Sequence, residues 1–299
     1  MHIVMGASGA VGSATLNALL EAGLPAKGIG RAEADARDPA ALTNALSGAS
    51  HIYFCVGLPY DRNVWREGFP RMASALVKAC KATTARLIFL DNVYMYGPKP
   101  LPVPFDENTA FDPPSVKGHV RKETTEILLK AHEKGDIQLT IGRAADFYGP
   151  GAINSVLYTG FLENMLAGKA PQLVIPEGPV HTYAFTPDLG RALAALGQDA
   201  GTMGETFHLP VGKPVRVSDL VETMNAKLRL SVRASHMTPF MLRLLSLFVP
   251  ILKEVREMNY QFEADYIMDD QKFLQRYPDF EKTSYSDGIA QTIEFFRKA

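Results

Sequence analysis

The chain has few of the residues that build disulfide scaffolds and metal centres. Only two cysteines, Cys55 and Cys80, occur among its 299 residues, too few for a disulfide framework or a cysteine-rich zinc site. The seven histidines include no close pair at the spacing of metal ligands. We therefore expect no bound metal. No leader with a charged start and an apolar core precedes the first apolar run, so a reducing cytoplasm is the simplest location.

An excess of charge of one sign is also missing. Lys and Arg number 31 and Asp and Glu 32, for a formal net charge of −1, which gives no reason to expect nucleic acid or an anionic membrane as partner. The most apolar stretch, 237–252, contains Pro239, Arg243 and Pro250 and is shorter than the roughly 20 residues that span a bilayer. It predicts packed core first, with a subunit contact or an apolar substrate wall as alternatives.

A glycine-rich turn stands near the start of the chain. The segment Gly6–Gly12 follows the apolar run Ile3–Met5 and precedes the helix-like stretch Ser13–Leu20. In a strand, turn and helix of this kind the first glycine allows a tight turn, the second lets a pyrophosphate approach the backbone, and the third packs the helix on the strand. The phosphates then meet the amides at the helix N-terminus. The predicted cofactor contacts here are Gly6, Ser8, Gly9, Ala10, Val11 and Gly12.

Strand-like and helix-like segments alternate through the first half of the chain. Apolar runs that predict strands lie at 26–30, 51–56, 86–90 and 137–141. Helical patterns separate them, among them Val64–Lys81 and Gly118–Lys134. This alternation predicts an α/β fold with a doubly wound parallel sheet of the Rossmann type.

The pattern changes near residue 149 to short elements punctuated by proline and glycine. We therefore expect an NAD(P)-binding Rossmann domain over 1–150. A smaller, mainly substrate-binding C-terminal lobe is expected over 151–299, with a segment at about 183–198 returning to the first domain.

The residues after the second predicted strand bear on the choice of dinucleotide. A carboxylate there bonds a ribose 2′-hydroxyl, whereas an arginine favours a 2′-phosphate. Arg31 follows the strand directly and Arg37 lies further on, so NADP is favoured. Glu33 offers a carboxylate that would serve NAD instead, and Arg31 as a solvated loop charge is the other alternative.

Four segments resemble, in order and spacing, those of the extended short-chain dehydrogenases/reductases: Gly6–Gly12, Ala36–Pro39, Phe89–Pro98 and Ile141–Pro150. Within that superfamily the chain resembles the NAD(P)-dependent epimerase/dehydratase family. The resemblance implies bound NAD(P), a C-terminal lobe that shapes the substrate pocket, a small-molecule substrate and, as an open expectation, a homodimer. The further cofactor contacts that it implies are Asp38 at the adenine, Cys55, Val56 and Gly57 at a strand end, Lys122 and Ala145.

The family's active-site frame is incomplete in this chain. That frame is a tyrosine, a lysine four positions later and an acid four positions after the lysine; Lys122 and Glu126 fit it, but the tyrosine position is Gly118. The lysine lowers the pKa of the phenol and binds the nicotinamide ribose, so Lys122 keeps only the ribose-binding part. The family's serine or threonine falls on Asn92, whose amide can donate to a carbonyl oxygen but cannot relay a proton.

A substitute for the missing phenol is expected at the end of the fourth strand. Tyr94 is the first candidate, because dehydratases of the superfamily carry an acid/base residue at the matching position; a packed aromatic is the equal alternative. Tyr96 matches a tyrosine that is usually structural, and we take it as a substrate contact. Tyr148 and His119 are the weaker alternatives.

Two residues are expected to meet substrate in the second lobe. Asp146 stands where the family often has an asparagine near the substrate. His181 stands near the position of an arginine that sugar-nucleotide enzymes use to bind the diphosphate. The absence of that arginine weakens the case for a nucleotide-sugar substrate.

Two functions follow from these residues. The first is an NADP-dependent oxidoreductase or epimerase/dehydratase-like enzyme that transfers hydride at a hydroxyl or carbonyl carbon, with Lys122, Asn92 and Tyr94 as catalytic residues. The alternative is a non-catalytic NADP-binding protein with a redox-sensing or regulatory role.

Overall fold

The computed structural model describes residues 1–173, 178–236, 244, 248 and 250–298. Its chain divides into two units. The first unit comprises Met1–Pro98, Ala110–Ala144 and Pro187–Leu209, and the second Lys99–Thr109, Ala145–Thr186 and Pro210–Ala299. The sequence analysis predicted one domain boundary, at residue 150, and a segment at about 183–198 that returns to the first domain. Which unit binds cofactor and which binds substrate stays a prediction.

The elements are short strands and longer helices. In chain order the strands are β1 (His2–Met5), β2 (Ala26–Ile29), β3 (His51–Phe54), β4 (Arg86–Asp91), β5 (Gln138–Arg143), β6 (Phe147–Tyr148), β7 (Gln172–Leu173), β8 (Val180–His181), β9 (Ala184–Phe185), β10 (Thr206–His208), β11 (Val215–Arg216) and β12 (Ser235–His236). The α-helices are α1 (Ala10–Glu21), α2 (Pro39–Ala45), α3 (Arg62–Thr83), α4 (Val116–Glu133), α5 (Glu163–Leu166), α6 (Thr186–Gln198), α7 (Val217–Leu228), α8 (Pro250–Met258), α9 (Gln271–Arg276) and α10 (Tyr285–Lys298). A π-helical turn spans Tyr158–Leu162, and 3-10 turns span Ala200–Thr202 and Asn259–Phe262.

A six-stranded sheet forms the centre of the first unit. Its order is β10-β5-β4-β3-β1-β2, and every neighbouring pair is parallel. The predicted α/β class with a Rossmann-type sheet is confirmed. The chain leaves β1 for β2 on one side and then crosses to β3 on the other. This reversal is the kind of topological switch at which ligands bind beyond the carboxyl ends of the strands.

Local capping explains where the two long helices of this unit begin. The Asp61 carboxylate accepts from the amides of Asn63 and Val64 at the start of α3, and the Ser115 hydroxyl accepts from the Gly118 amide at the start of α4. Each cap satisfies amides that have no partner within the helix. The helices therefore start two residues before the predicted bounds, which rested on apolar spacing alone.

A buried carboxylate at the end of β4 ties the sheet to α4. Asp91 accepts from Arg121 Nε at 2.9 Å and from the Thr125 hydroxyl at 2.7 Å, and a second Arg121 nitrogen contacts the same oxygen. Arg143, at the end of β5, lies 3.7 Å away through Nε. All three charged side chains are at most 5% exposed. The helix and two strands are thus joined through one residue.

The second unit is built on small two-stranded pairings and helices. Strands β6 and β9 pair in parallel, as do β7 and β12, and β8 pairs antiparallel with β11. Side chains from the π-helical turn, α7 and α10 form its apolar cluster, including Phe161, Leu220 and Ile289.

Most of the apolar stretch 237–252 lies outside the described residues, so its predicted packing stays open. Of its described members, Leu244 is 49% exposed and Phe248 77%. Within the described part of the chain, no helix has the length and apolar character needed to cross a membrane. The same part contains no group of three His, Cys, Asp or Glu residues able to hold a metal ion.

We predict that Asp91→Asn lowers the free energy of unfolding by about 3–5 kcal/mol, because it leaves Arg121 and Arg143 buried without their counter-charge. Urea unfolding followed by Trp65 fluorescence measures this, since the chain's single tryptophan lies in the same unit. The matched control is Asp136→Asn, which removes the partner of Lys81 from a partly exposed ion pair and is expected to cost about 1 kcal/mol or less. Equal losses in both variants would contradict the assignment.

Candidate cofactor and substrate sites

The turn after β1 excludes side chains at two of its glycines. Gly6 has φ +77°, and a Cβ on it would lie 2.7 Å from the carbonyl oxygen of Cys55. A Cβ on Gly12 would lie 2.1 Å from the carbonyl oxygen of Gly6. Both contacts are with backbone and cannot relax cheaply, so a tight turn and close helix packing demand glycine here.

The remaining glycine of the turn, Gly9, is less tightly enclosed than Gly6 and Gly12. Gly9 is exposed, and the one atom near a Cβ built on it is the Gly6 carbonyl oxygen, at 3.3 Å. It is the N-cap of α1, and no side chain caps that helix. Ser8 is exposed beside it, while Val11 is buried. A cradle of backbone amides at a helix start suits a pyrophosphate, so these residues fit the expected dinucleotide.

The end of β3 lies against this turn, and its predicted contact with the nucleotide stays a prediction. The Cys55 amide donates to the Met5 carbonyl oxygen at 3.0 Å, and its thiol lies 3.9 Å from the Thr15 hydroxyl. Burial raises the pKa of Cys55 to about 12, so the thiol stays neutral. Val56 packs on the sheet core, and Gly57 is exposed with open space around its Cβ position.

Several polar side chains after β2 form local hydrogen bonds, either with backbone amides or with one another. Glu33 accepts from the Gly30 amide at 2.8 Å. Arg37 pairs with Asp35 at 2.8 Å, and its hydrogen bonds hold the pKa of that carboxyl at about 2. Arg31 is exposed and directly follows Gly30. Its guanidinium can therefore reach an added anion at this strand end.

Asp38 has a structural role that the sequence analysis did not identify. Its Oδ1 accepts from the amides of Ala40 and Ala41, at 2.9 and 3.2 Å, and so caps α2. The side chain is exposed. Its contact with an adenine stays a prediction.

Gly118 leaves no room for the phenol that the family frame would place there. A Cβ on Gly118 would lie 2.4 Å from the Tyr94 carbonyl oxygen, 2.5 Å from Pro113 Cβ and 2.9 Å from Ser115 Oγ. One turn further along α4, Lys122 Nζ donates to the Phe111 carbonyl oxygen at 2.9 Å. The lysine of the frame is therefore held in position although the tyrosine is absent.

Asn92 and Tyr94 follow β4 as predicted and interact with each other. Asn92 Oδ1 accepts from the Tyr94 amide at 3.1 Å. The Tyr94 ring is half-buried and stacks on Trp65, with centroids 6.1 Å apart and planes at 14°. Packing on Trp65 fixes the ring, which suits either a packed aromatic or an oriented phenol.

Tyr96, which we predicted to contact substrate, is buried. The residue is 1% exposed. Its hydroxyl accepts from Arg143 at 2.6 Å and lies 2.6 Å from His208 Nε2, so it donates to that nitrogen. Both hydrogen bonds are made inside the first unit. These contacts favour a structural role, and a contact of Tyr96 with substrate stays a prediction.

Asp146 and His181 come together in the second unit although they are distant in sequence. Asp146 Oδ2 lies 3.6 Å from His181 Nε2, and both atoms are buried. Desolvation raises the pKa of Asp146 to about 6 and lowers that of His181 to about 4. Burial also raises the pKa of Tyr183 well above its usual value, with the charge of Asp146 adding to the shift.

The weaker candidates are placed less favourably. His119 is exposed on α4, and Tyr148 is 3% exposed within the aromatic packing of the second unit. Ala145 is buried directly after the first unit ends. Sequence reasoning missed Lys117, which is fully buried with Nζ 4.5 Å from the centre of the Tyr60 ring. A lysine at a helix start gives no signal of such burial.

Comparisons with known proteins agree with the fold of this chain. The profile of the NAD dependent epimerase/dehydratase family matches residues 2–209, whereas a search of curated proteins finds no match.

Three solved structures share the fold along the whole chain. A dTDP-glucose 4,6-dehydratase double mutant from Streptomyces venezuelae, with NAD bound, has a TM-score of 0.80 and 19% identity, and covers 100% of this chain and 97% of its own. UDP-glucuronic acid 4-epimerase from Bacillus cereus with NAD has a TM-score of 0.78 and 17% identity, and the match covers 100% of this chain and 99% of the epimerase. UDP-glucose 4-epimerase from Thermus thermophilus with NAD has a TM-score of 0.79 and 15% identity, and the match covers 100% of both chains.

We predict that Gly118→Ala destabilises the protein by about 1–3 kcal/mol, because the added Cβ must displace the Tyr94 carbonyl. The matched control is Gly68→Ala in α3, where the added Cβ meets the end of the flexible Leu58 side chain. There the gain in helix propensity from glycine to alanine, up to about 1 kcal/mol, offsets the cost of displacing the Leu58 side chain. Urea unfolding followed by far-UV circular dichroism compares the two. A Gly118→Ala variant as stable as the control would show that the backbone yields.

We predict that Asp146 and His181 make the stability of the fold depend on pH with opposite signs. A carboxyl with a raised pKa contributes stability at low pH that is lost as the pH rises from about 4 to about 6. A histidine with a lowered pKa contributes stability that is lost as the pH falls from about 6.5 to about 4. His181→Gln should therefore become less stable as the pH rises through this window, and Asp146→Asn more stable. Urea midpoints measured across the window test both signs; slopes of the same sign would contradict the burial of one partner.

Proposed function

Because the chain belongs to the NAD dependent epimerase/dehydratase family, we propose that it is an enzyme that uses NADP to transfer hydride at a hydroxyl or carbonyl carbon of a small molecule. The observation that carries this proposal is the cradle at Gly6, Gly9 and Gly12, where backbone excludes a side chain at two positions and closely approaches the third, at 3.3 Å. NAD in the three solved structures supports a dinucleotide here. A cytoplasmic location and a homodimer stay predictions from the sequence.

The cofactor, when bound, would accept or supply hydride at its nicotinamide ring. The amides at the start of α1 would meet its pyrophosphate, and Lys122 would bind its ribose. Lys122 uses one N–H group on the Phe111 carbonyl oxygen and keeps its other donors for ribose hydroxyls. Arg31 would bind the 2′-phosphate, and its exposure beside the engaged Glu33 and Arg37 supports NADP over NAD.

The substrate oxygen would be handled by the residues that follow β4. Asn92 orients it through its amide N–H groups, since Asn92 Oδ1 already accepts from the Tyr94 amide. Tyr94 exchanges the proton of that oxygen as hydride moves, in place of the phenol for which Gly118 leaves no space. The stack on Trp65 supports this role, because an oriented phenol transfers a proton at less entropic cost.

A second candidate function is a non-catalytic NADP-binding protein. The steric exclusion of a side chain at Gly118 favours it, because binding would survive the loss of the usual proton donor. Tight NADPH binding with no turnover of any aldehyde, ketone or nucleotide sugar would support this function and overturn the enzyme proposal.

We predict that Arg31→Ala weakens NADPH binding by about tenfold or more, with NADH binding unchanged. A hydrogen bond to a charged group contributes about 1.5–3 kcal/mol, and every 1.4 kcal/mol is about tenfold in affinity. Nucleotide fluorescence titrations measure both affinities. Arg37→Ala is the control, since Asp35 already engages that guanidinium. Equal losses for both nucleotides, or a wild type that prefers NADH, would sink the NADP assignment and favour Glu33 on a ribose hydroxyl.

Tyr94→Phe is expected to lower turnover by about 10²–10⁴-fold, because the phenol proton is removed while the ring packing is kept. NADPH absorbance with a panel of aldehydes, ketones and nucleotide sugars gives the rates, and NADPH affinity should stay the same. The control is Tyr158→Phe, whose ring packs on Phe296 in the second unit. An unchanged rate in Tyr94→Phe removes Tyr94 from the mechanism.

A further inference from the structure

Three buried polar atoms in the second unit are left without a hydrogen-bond partner among the described residues. They are Asp146 Oδ2, His181 Nε2 and the Tyr183 hydroxyl. Asp146 and His181 face each other at 3.6 Å, and the rings of His181 and Tyr183 stack with centroids 4.7 Å apart. Buried polar groups are nearly always hydrogen-bonded in folded proteins, so unpaired atoms gathered in one place need an explanation such as a ligand or a water.

The other nitrogen of His181 sets what this cluster can bind. His181 Nδ1 lies 2.9 Å from the Thr182 carbonyl oxygen, which only accepts, so Nδ1 carries the proton. In the neutral ring Nε2 is therefore an acceptor. It faces Asp146 Oδ2 at 3.6 Å, beyond hydrogen-bond distance, so both acceptors lack a donor that could lie between them. A proton carried by either partner leaves the pair with no net charge.

The surroundings of the pair disfavour a net charge. The His181 ring is stacked among Tyr183, Phe262 and Tyr266, with centroids 4.7–5.0 Å away. The titratable groups near the pair are Tyr183, Tyr266 and Tyr285; Asp265 binds the Val180 amide next to His181 and is exposed. Over the described residues, neither Asp146 nor His181 has an ion pair with a lysine or arginine. An anion placed here would face a carboxylate with no compensating cation.

We propose that Asp146, His181 and Tyr183 form a binding site for an uncharged hydroxyl group of the substrate. A hydroxyl both donates and accepts, so it can donate to the Asp146 and His181 pair and accept from the Tyr183 phenol, which stays protonated. The substrate is then a polyol or hydroxyketone that presents this hydroxyl, and a diphosphate is excluded from this position. The proposal rests on the proposed function, since it names the substrate class of that enzyme.

The test is the NMR signal of His181 in the full chain loaded with NADP⁺. We expect at least one uncharged probe among D-glucose, D-xylose, L-fucose and dihydroxyacetone to shift the His181 ring carbon saturably, and inorganic pyrophosphate to leave it unchanged. Asp146→Asn and Tyr183→Phe should each weaken the response by about tenfold, the effect of losing one such hydrogen bond. The matched control Asp265→Asn, an exposed carboxylate that accepts from the neighbouring Val180 amide, should respond as the wild type does.

Two results would overturn the proposal. A shift with pyrophosphate would show an anion site, and no saturable shift with any uncharged probe would show that the three atoms bind buried water only. Failure of the proposed function is distinguished because the NMR response needs no hydride transfer. A His181 shift without turnover would overturn the enzyme proposal and support the hydroxyl site. Turnover without a shift would support the enzyme proposal and overturn the hydroxyl site.

Discussion

The first unit depends on one buried carboxylate. Asp91 is contacted by Arg121 and Thr125 from α4 and by Arg143 from β5, so the helix and two central strands keep one register. The residues proposed to act on ligands are the immediate neighbours of this network. Asn92 follows Asp91 in the chain, and Lys122 follows Arg121. An ion pair with so large a desolvation cost is a weak source of stability, but here it fixes where an amide and an ammonium lie.

The two arginines outnumber the single carboxylate, and aromatic rings supply part of the compensation. Arg121 lies over the Phe69 ring at 4.5 Å, and Arg143 lies over the Phe111 ring at 4.8 Å. A ring face attracts a guanidinium that is shielded from water. The Tyr96 hydroxyl completes the arrangement by accepting a hydrogen bond from Arg143 and forming another with His208. The second unit differs, because Asp146 and His181 have no such cation among the described residues and tend to a neutral pair.

Sequence patterns predicted the sheet and the glycine turn because both depend on local spacing. The segment Gly6–Gly12 needs neighbours that are adjacent in the chain, and apolar runs placed the strands within a few residues. Patterns could not reveal contacts between distant residues. The approach of Asp146 to His181 and the complete burial of Lys117 follow from tertiary packing. The hydrogen bonds of Tyr96 were hidden for the same reason, since its partners Arg143 and His208 come from other strands.

Gly118 also couples its helix to the loop that follows β4. The helix lies so close to the Tyr94 carbonyl that backbone occupies the space a side chain at this position would need. A single substitution cannot place a phenol here, because the loop after β4 would first have to withdraw. Installing a phenol at this position therefore requires two segments that are distant in sequence to be redesigned together.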